Sequence, residues 1–308
     1  MLKKRYIIDI SIGRNFKSRR NKFMYKGSIV LEGGATRGIF TAGVLDKLME
    51  NDIYLSDVIG VSAGACNAVD YVSKQIGRTK KCMVNDYPDC DYLNRPGQVI
   101  KDKSVLNMDL VFDKYPNDII PFDFDKFFAS EMECELVATN CITGKAEYIK
   151  ERKDRTRLMK AARASSSIPI LTPAVMIDGV PYLDGGLADS VPVEHALNSG
   201  NDKVVVVLTR NICYRKSALS KPMQEMYRNT FSDYPELTKT IIRRSAYYNR
   251  SLNITESLER QGKIFVIRPH IPPVGRLERN SDDLLDFYKH GYETMEKQMD
   301  DLIAYLNK

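Results

Sequence analysis

The stretch "GSIVLEGGATRGIFTAGVLDKLMEN", residues 27–51, sets the fold class. It opens with an apolar run of strand length, Gly27 to Gly33, and passes through glycines into a helical pattern. Ile39, Phe40, Gly43, Val44, Leu45 and Leu48 fall on one side at helical spacing, with Asp46, Lys47 and Glu50 opposite. "DVIGVS" (57–62) is a second short buried-type strand, and "AGACNAVDYVSK" (63–74) a small-residue helix. Strand, helix, strand, helix predicts an α/β fold with a mainly parallel sheet covered by helices.

The alternation continues downstream. Residues 77–130 carry Pro88, Pro96, Pro116 and Pro121 with weak periodicity, and read as loops and short helices forming one wall of a pocket. "CELVATNCITGKAEYI" (134–149) is a hairpin turning at Thr143-Gly144, and "DRTRLMKAARASSS" (154–167) a helix stopped by Pro169. "KVVVVLTR" (203–210) is a buried strand. A helical stretch over 221–261, the strand "KIFVIRP" and an amphipathic C-terminal helix follow. With no linker in sight, residues 27–308 read as one domain, with a core over 27–210 and a helical and strand part over 211–308.

A 43% hydrophobic and 28% charged composition is that of a soluble globular protein. No apolar stretch reaches the eighteen or so residues of a membrane-spanning helix. The net charge of +6 is concentrated in residues 1–26, where nine Lys/Arg face only Asp9, so the rest is slightly acidic. This basic extension lacks the apolar segment of a secretory signal. It offers a contact for anionic membrane surfaces; no nucleic-acid partner is expected. Six cysteines without a CxxC pair fit reduced thiols in a cytoplasmic protein, which the basic extension would make peripheral at the membrane. A Cys82–Cys90 bridge is the alternative to free thiols there. No metal or cofactor motif is present.

Three short motifs carry the chemistry. Gly60-Val61-Ser62-Ala63-Gly64 is a GxSxG pattern, which chance alone supplies in roughly a tenth of chains this long. Its place between a buried strand and a small-residue helix is the setting of a nucleophile elbow. There the helix N-terminus puts partial positive charge beside a developing alkoxide. "LEGGATRG" (31–38) lies at the other strand-to-helix junction. It lacks the GxGxxG or Lys-Ser/Thr of a nucleotide loop, and its backbone N–H groups suit an oxyanion. Neighbouring parallel strands would bring it beside Ser62. Arg37 either stabilises negative charge or pins the loop by a salt bridge.

The proton acceptor has two candidates. Of three histidines, His195 and His290 read as structural or surface residues, and His270 after the last strand is the triad candidate. In "MIDGVPYLDGG" (176–186), Asp178-Gly179 reads as a hairpin turn and Asp184 as a strand-end carboxylate. A carboxylate removed from water can take a serine proton directly.

Together the motifs resemble the patatin-like phospholipases, which carry an oxyanion loop GGGx[RK]G, a GxSxG serine and a DG[GA] aspartate in that order. Here these are Gly33-Gly34-Ala35-Thr36-Arg37-Gly38, Gly60 to Gly64, and Asp184-Gly185-Gly186. The resemblance runs over about 27–210, including "ATNCITGK" and "AARASSSIP". It implies a three-layer α/β/α sandwich, a Ser62–Asp184 dyad without histidine, and an oxyanion hole from the amides of Gly33, Gly34 and Ala35. It further implies a lipid or ester substrate and no cofactor. Ala35 replaces the family's third glycine; a positive φ there costs about 1 kcal/mol or more. Ser190 stands where many relatives have asparagine. The alternatives are a Ser62–Asp184–His270 α/β-hydrolase and a non-catalytic lipid-binding or regulatory protein.

Overall fold

Residues 24–84, 94, 96–102 and 104–308 are described by a computed structural model. Positions 1–23 of the basic extension, and Cys90 of the Cys82–Cys90 pairing, lie outside them. The expected first strand is β1 (Tyr25–Leu31), followed by α1 (Gly38–Glu50), β2 (Leu55–Val61) and α2 (Ala63–Val72). Short pieces come next: α3 (Arg78–Met83), α4 (Pro96–Asp102), a π-helical segment Leu110–Ile119 that contains Pro116, and α5 (Phe124–Phe128). β3 (Glu133–Asn140), β4 (Ala146–Ile149), α6 (Arg155–Ser165), β5 (Val175–Ile177) and β6 (Val180–Asp184) continue the chain. It ends with α7 (Val193–Asn198), β7 (Val204–Val207), α8 (Lys221–Thr230), α9 (Pro235–Arg260), β8 (Phe265–Ile267) and α10 (Ser281–Leu306).

The strands form one sheet in the order β5-β6-β3-β2-β1-β7-β8, with β4 paired to β3. From β3 across to β8 all neighbours are parallel. The hairpin-built edge of β4, β5 and β6 is antiparallel. Its turns use the expected residues: Gly144 at φ 65°, and Asp178 and Gly179 at φ 51° and 81°.

On β1, Ile29 and Leu31 enter one core and Val30 the other, the two-residue period of a strand covered on both faces. α1, α2, α6 and α10 fill the first face; α7 and α9 cover the second. The result is a three-layer α/β/α sandwich. Asp46, expected on the solvent side of α1, is buried instead, because α10 packs there. Its carboxylate accepts from Gly77 N (2.8 Å) and Tyr288 OH (2.7 Å), and burial pushes its pKa up. The helices touch backbone to backbone: a Cβ on Gly291 would lie 2.1 Å from Phe40 O.

Candidate active site

β1 and β2 run parallel with Leu31 opposite Gly60, so the segments leaving them emerge side by side. A Cβ on Gly33 would lie 2.8 Å from Ser62 Cβ, and one on Gly64 only 2.2 Å from Leu31 O. Likewise a Cβ on Gly60 would meet Gly64 O at 2.5 Å, and one on Gly38 would meet Ala63 Cβ at 2.7 Å. The glycines of the two motifs are thus the contact points between the loop and the serine turn.

Ser62 caps α2 with φ 57° and ψ −122°, a sparsely populated conformation that costs about 1–3 kcal/mol and that the surroundings must hold. They do so through Ser165, whose hydroxyl accepts from Ser62 N (2.8 Å) and donates to Val137 O (2.6 Å). The Ser62 residue is only 7% exposed.

Register places Asp184 at the same height. Val61 pairs with Val137 on β3, and Ala138 pairs with Asp184 on β6. Ser62 and Asp184 therefore flank β3, their backbones two strand spacings or roughly 10 Å apart across the sheet. Asp184 is 5% exposed and tightly held. Its N–H donates to Ser167 O (2.7 Å), its carbonyl accepts from Thr139 Oγ1 (2.8 Å), and its Oδ1 accepts from Gly186 N (2.8 Å). A Cβ on Gly185 would lie 2.0 Å from Val137 O. The side chains of Ser62 and Asp184 line one pocket, of about 610 Å³ with its open mouth included, without a hydrogen bond between them.

Gly33, Gly34 and Ala35 line that pocket too, and their amides donate to no protein group among the described residues. Ala35 has φ 51°, the left-handed conformation a third glycine would adopt freely. Behind the loop, Glu32 accepts from Thr209 N (2.7 Å) and Tyr248 OH (2.7 Å). Among the described residues Arg37 makes no salt bridge and pins the loop through a carbonyl: its Nε donates to Val274 O (2.9 Å). Thr36 Oγ1 adds a bond to Gly275 O (2.7 Å).

The structure does not bring a histidine to Ser62. His270 is exposed, with its N–H bonded to His290 Nε2 (3.0 Å). His195 stacks on Tyr148 and lies 2.5 Å from Glu135.

A second cavity opens from the same serine. It holds about 1060 Å³, mouth included, shares Ala35, Ser62 and Ile168 with the first, and is lined by Met83, Leu106, Met108, Phe112 and Phe122 among others. The stretch 77–130 does therefore wall a pocket, and an apolar one. The first pocket is instead cationic, with Arg37, Arg210, Lys216, Arg244 and Arg276 on its lining. Burial, then Arg244 and Arg276, lower Lys216 to about 7; burial, Arg210 and Arg276 lower Arg37 to about 10.

Of these cations only Arg37 sits in a motif. Arg210 follows β7, so the rule that sites gather at the carboxyl ends of parallel strands was available to find it. Arg244 and Tyr248 are four apart on one face of α9. Nothing in the sequence singles out Lys216 or Arg276.

These features define a three-layer α/β protein with a serine turn and a glycine-rich loop at its parallel strand ends. The chain belongs to the patatin-like phospholipase family, which its residues 29–197 match. Residues 234–307 match a separate family described as a domain of unknown function, DUF6363. An Escherichia coli K12 protein, YjjU, is 29% identical over 187 residues, covering 59% of this chain and 51% of that protein. Lysophospholipase nte1 of Aspergillus terreus is 27% identical over 285 residues, covering 87% of this chain but 18% of its own. The chain thus spans about half the length of the first relative and under a fifth of the second. Among solved structures, VipD from Legionella pneumophila aligns over 91% of this chain and 67% of its own, with TM-score 0.47 and 13% identity.

Proposed function

We propose that the protein is a serine acyl hydrolase, a lipase or phospholipase A-type carboxylic ester hydrolase cleaving fatty-acyl esters of lipids through a Ser62–Asp184 dyad. One observation carries it: Ser62, held in a strained turn, shares a pocket with the Asp184 carboxylate and three unengaged amides, and also opens onto an apolar cavity. The family match and the similarity to lysophospholipase nte1 support a lipid ester as substrate.

In this reading Asp184 takes the Ser62 proton as Oγ bonds to the ester carbonyl carbon. The amides of Gly33, Gly34 and Ala35 hold the resulting oxyanion. Collapse breaks the ester C–O bond, and the departing alkoxide recovers the proton from Asp184. Water, deprotonated by the same carboxylate, then attacks the acyl-enzyme, and the fatty acid leaves as Ser62 is reprotonated. Closing the Ser62–Asp184 hydrogen bond belongs to substrate binding, since such contacts often tighten only in the complex.

The test is hydrolysis of p-nitrophenyl butyrate with fluorophosphonate labelling. Ser62→Ala and Asp184→Asn each lower turnover on the order of 10⁴-fold or more, and Ser62→Ala abolishes labelling. Retained turnover in either variant sinks the dyad. His270→Ala keeps its rate; a collapse there would restore the triad, and an unlabelled wild-type serine would favour a non-catalytic lipid-binding protein.

A further inference from the structure

Five cationic side chains line the first pocket against two carboxylates, Glu32 and Asp184. Glu32 is already engaged by Thr209 and Tyr248. Among the described residues none of the five cations makes an ion pair within 4.0 Å, although the chain pairs cations readily elsewhere, as in Arg78–Asp70 (2.9 Å) and Arg215–Glu256 (2.8 Å). Gathering unpaired cations in a half-buried pocket opposes folding, so an anion that completes the set recovers what their isolation costs.

The heads are also held in place. Arg244 Nε donates to Gly186 O (2.6 Å), on the residue whose N–H holds Asp184. Lys216 Nζ lies 3.9 Å from the centre of the Tyr248 ring, and Arg210 stacks 4.1 Å over Tyr214. Asn249 on α9 clamps the strap that delivers Lys216, accepting from its N–H (2.8 Å) and donating to its carbonyl (3.0 Å). Arg276 stands exposed at the rim.

Two pockets of opposite character meet at Ser62, and an ester has two halves meeting at its carbonyl. The acyl chain belongs in the apolar cavity, which leaves the alcohol half to the cations. We propose that this pocket binds a phosphate-type oxyanion on the alcohol half, so that the preferred substrate is an acyl ester of an anionic alcohol rather than of a neutral or zwitterionic one. The proposal rests on the acyl-hydrolase reading above. A zwitterionic head group would bring a further cation among five, whereas a terminal phosphate offers several acceptors to guanidinium forks and an ammonium.

The experiment compares 1-oleoylglycerol 3-phosphate with 1-oleoylglycerol and 1-oleoylglycerol 3-phosphocholine in matched mixed micelles. They share acyl chain and glycerol and differ at the head. The phosphate ester is expected to have at least about tenfold higher kcat/KM than either, and its advantage over 1-oleoylglycerol to fall about tenfold in Arg276→Gln and in Lys216→Met. Arg276 is a rim residue, so that variant keeps the test alive should Lys216→Met fail to fold. Equal kcat/KM for all three esters, or an advantage that survives both substitutions, overturns the proposal. Strong inhibition by inorganic phosphate without any preference among the esters also overturns it, by making the ligand a free ion. Failure of the underlying reading looks different: no ester is cleaved and Ser62 is not labelled.

Discussion

Ser62, Asp184 and the Gly33–Ala35 loop reach the pocket from strand ends within residues 31–186, whereas Arg210 just beyond β7, Lys216 farther along the same segment, Arg244 on a helix and Arg276 in a loop reach it from residues spread over 210–276. The first group works through backbone contacts closer than any side chain permits, such as Gly33 against Ser62 and Gly64 against Leu31 O. Those contacts demand glycine at fixed spacing, and fixed spacing is what a motif is. The second group delivers charge on long side chains, which can arrive from many backbone positions. The proposed reaction geometry is therefore written in short words, and the proposed head-group selectivity is not.

The sharpest way to break that contrast is to insert a side chain at a backbone contact. Gly64→Val puts a Cβ 2.2 Å from Leu31 O, so the serine turn must leave the loop. Displacing a reacting group by an ångström costs about 10²-fold, and turnover of p-nitrophenyl butyrate is expected to fall at least that far. Arg276→Gln, on the other wall, changes selectivity among esters instead. A comparable collapse from Arg276→Gln would erase the distinction.

Next in size is Ser165→Ala. It removes the acceptor of Ser62 N and the donor to Val137 O, both buried. Leaving such groups unpaired costs about 1–3 kcal/mol each. Chemical denaturation should show that loss, and turnover should fall with it as the strained Ser62 turn relaxes.

How much was legible follows the same division. The β1 and β2 runs, the hairpin turns at Gly144 and Asp178-Gly179, and the adjacency of loop and serine turn all come from local patterns. Asp46 did not, because its surroundings are Gly77 and Tyr288, the latter 242 residues away on α10. The apolar cavity was legible only as a wall, since Pro116 within a π-helical segment leaves no regular period to read. Ser165 sits in the run of small residues that ends α6, but its role depends on α6 packing over β3, which sets its hydroxyl between Val137 O and Ser62 N. Lys216 depends on Asn249 and Tyr248 beneath it, and no spacing announces that.

A smaller effect tests the cationic wall by pH. Lys216 faces Arg244 and Tyr248 from α9, Arg276 from the following loop, and Glu32 and Asp184 from the strand ends. Burial and the two arginines lower it to about 7, so it is cationic below that pH and neutral above. An anion favours the charged form, so affinity weakens as pH rises. KM for 1-oleoylglycerol 3-phosphate is expected to rise by a factor of about ten between pH 6.5 and 8.5, a range set by that value, and to rise less in Lys216→Met. An unchanged pH profile in Lys216→Met would assign the titration elsewhere.

The smallest effect sharpens the motif side at its one irregular letter. Ala35 stands at φ 51°, where an alanine pays about 1 kcal/mol that glycine does not. Glycine in turn loses about 0.5–1 kcal/mol of extra chain entropy on folding. The two nearly cancel, so Ala35→Gly should leave the melting temperature close to wild type. The same substitution at Ala246, exposed in the middle of α9, relieves no strain and should cost the full helix penalty of about 1 kcal/mol. Thermal melts of the two variants side by side read the difference directly. Equal losses would mean that residue 35 does not occupy the left-handed conformation in solution, and the amides of the loop would then need another arrangement to converge on one oxyanion.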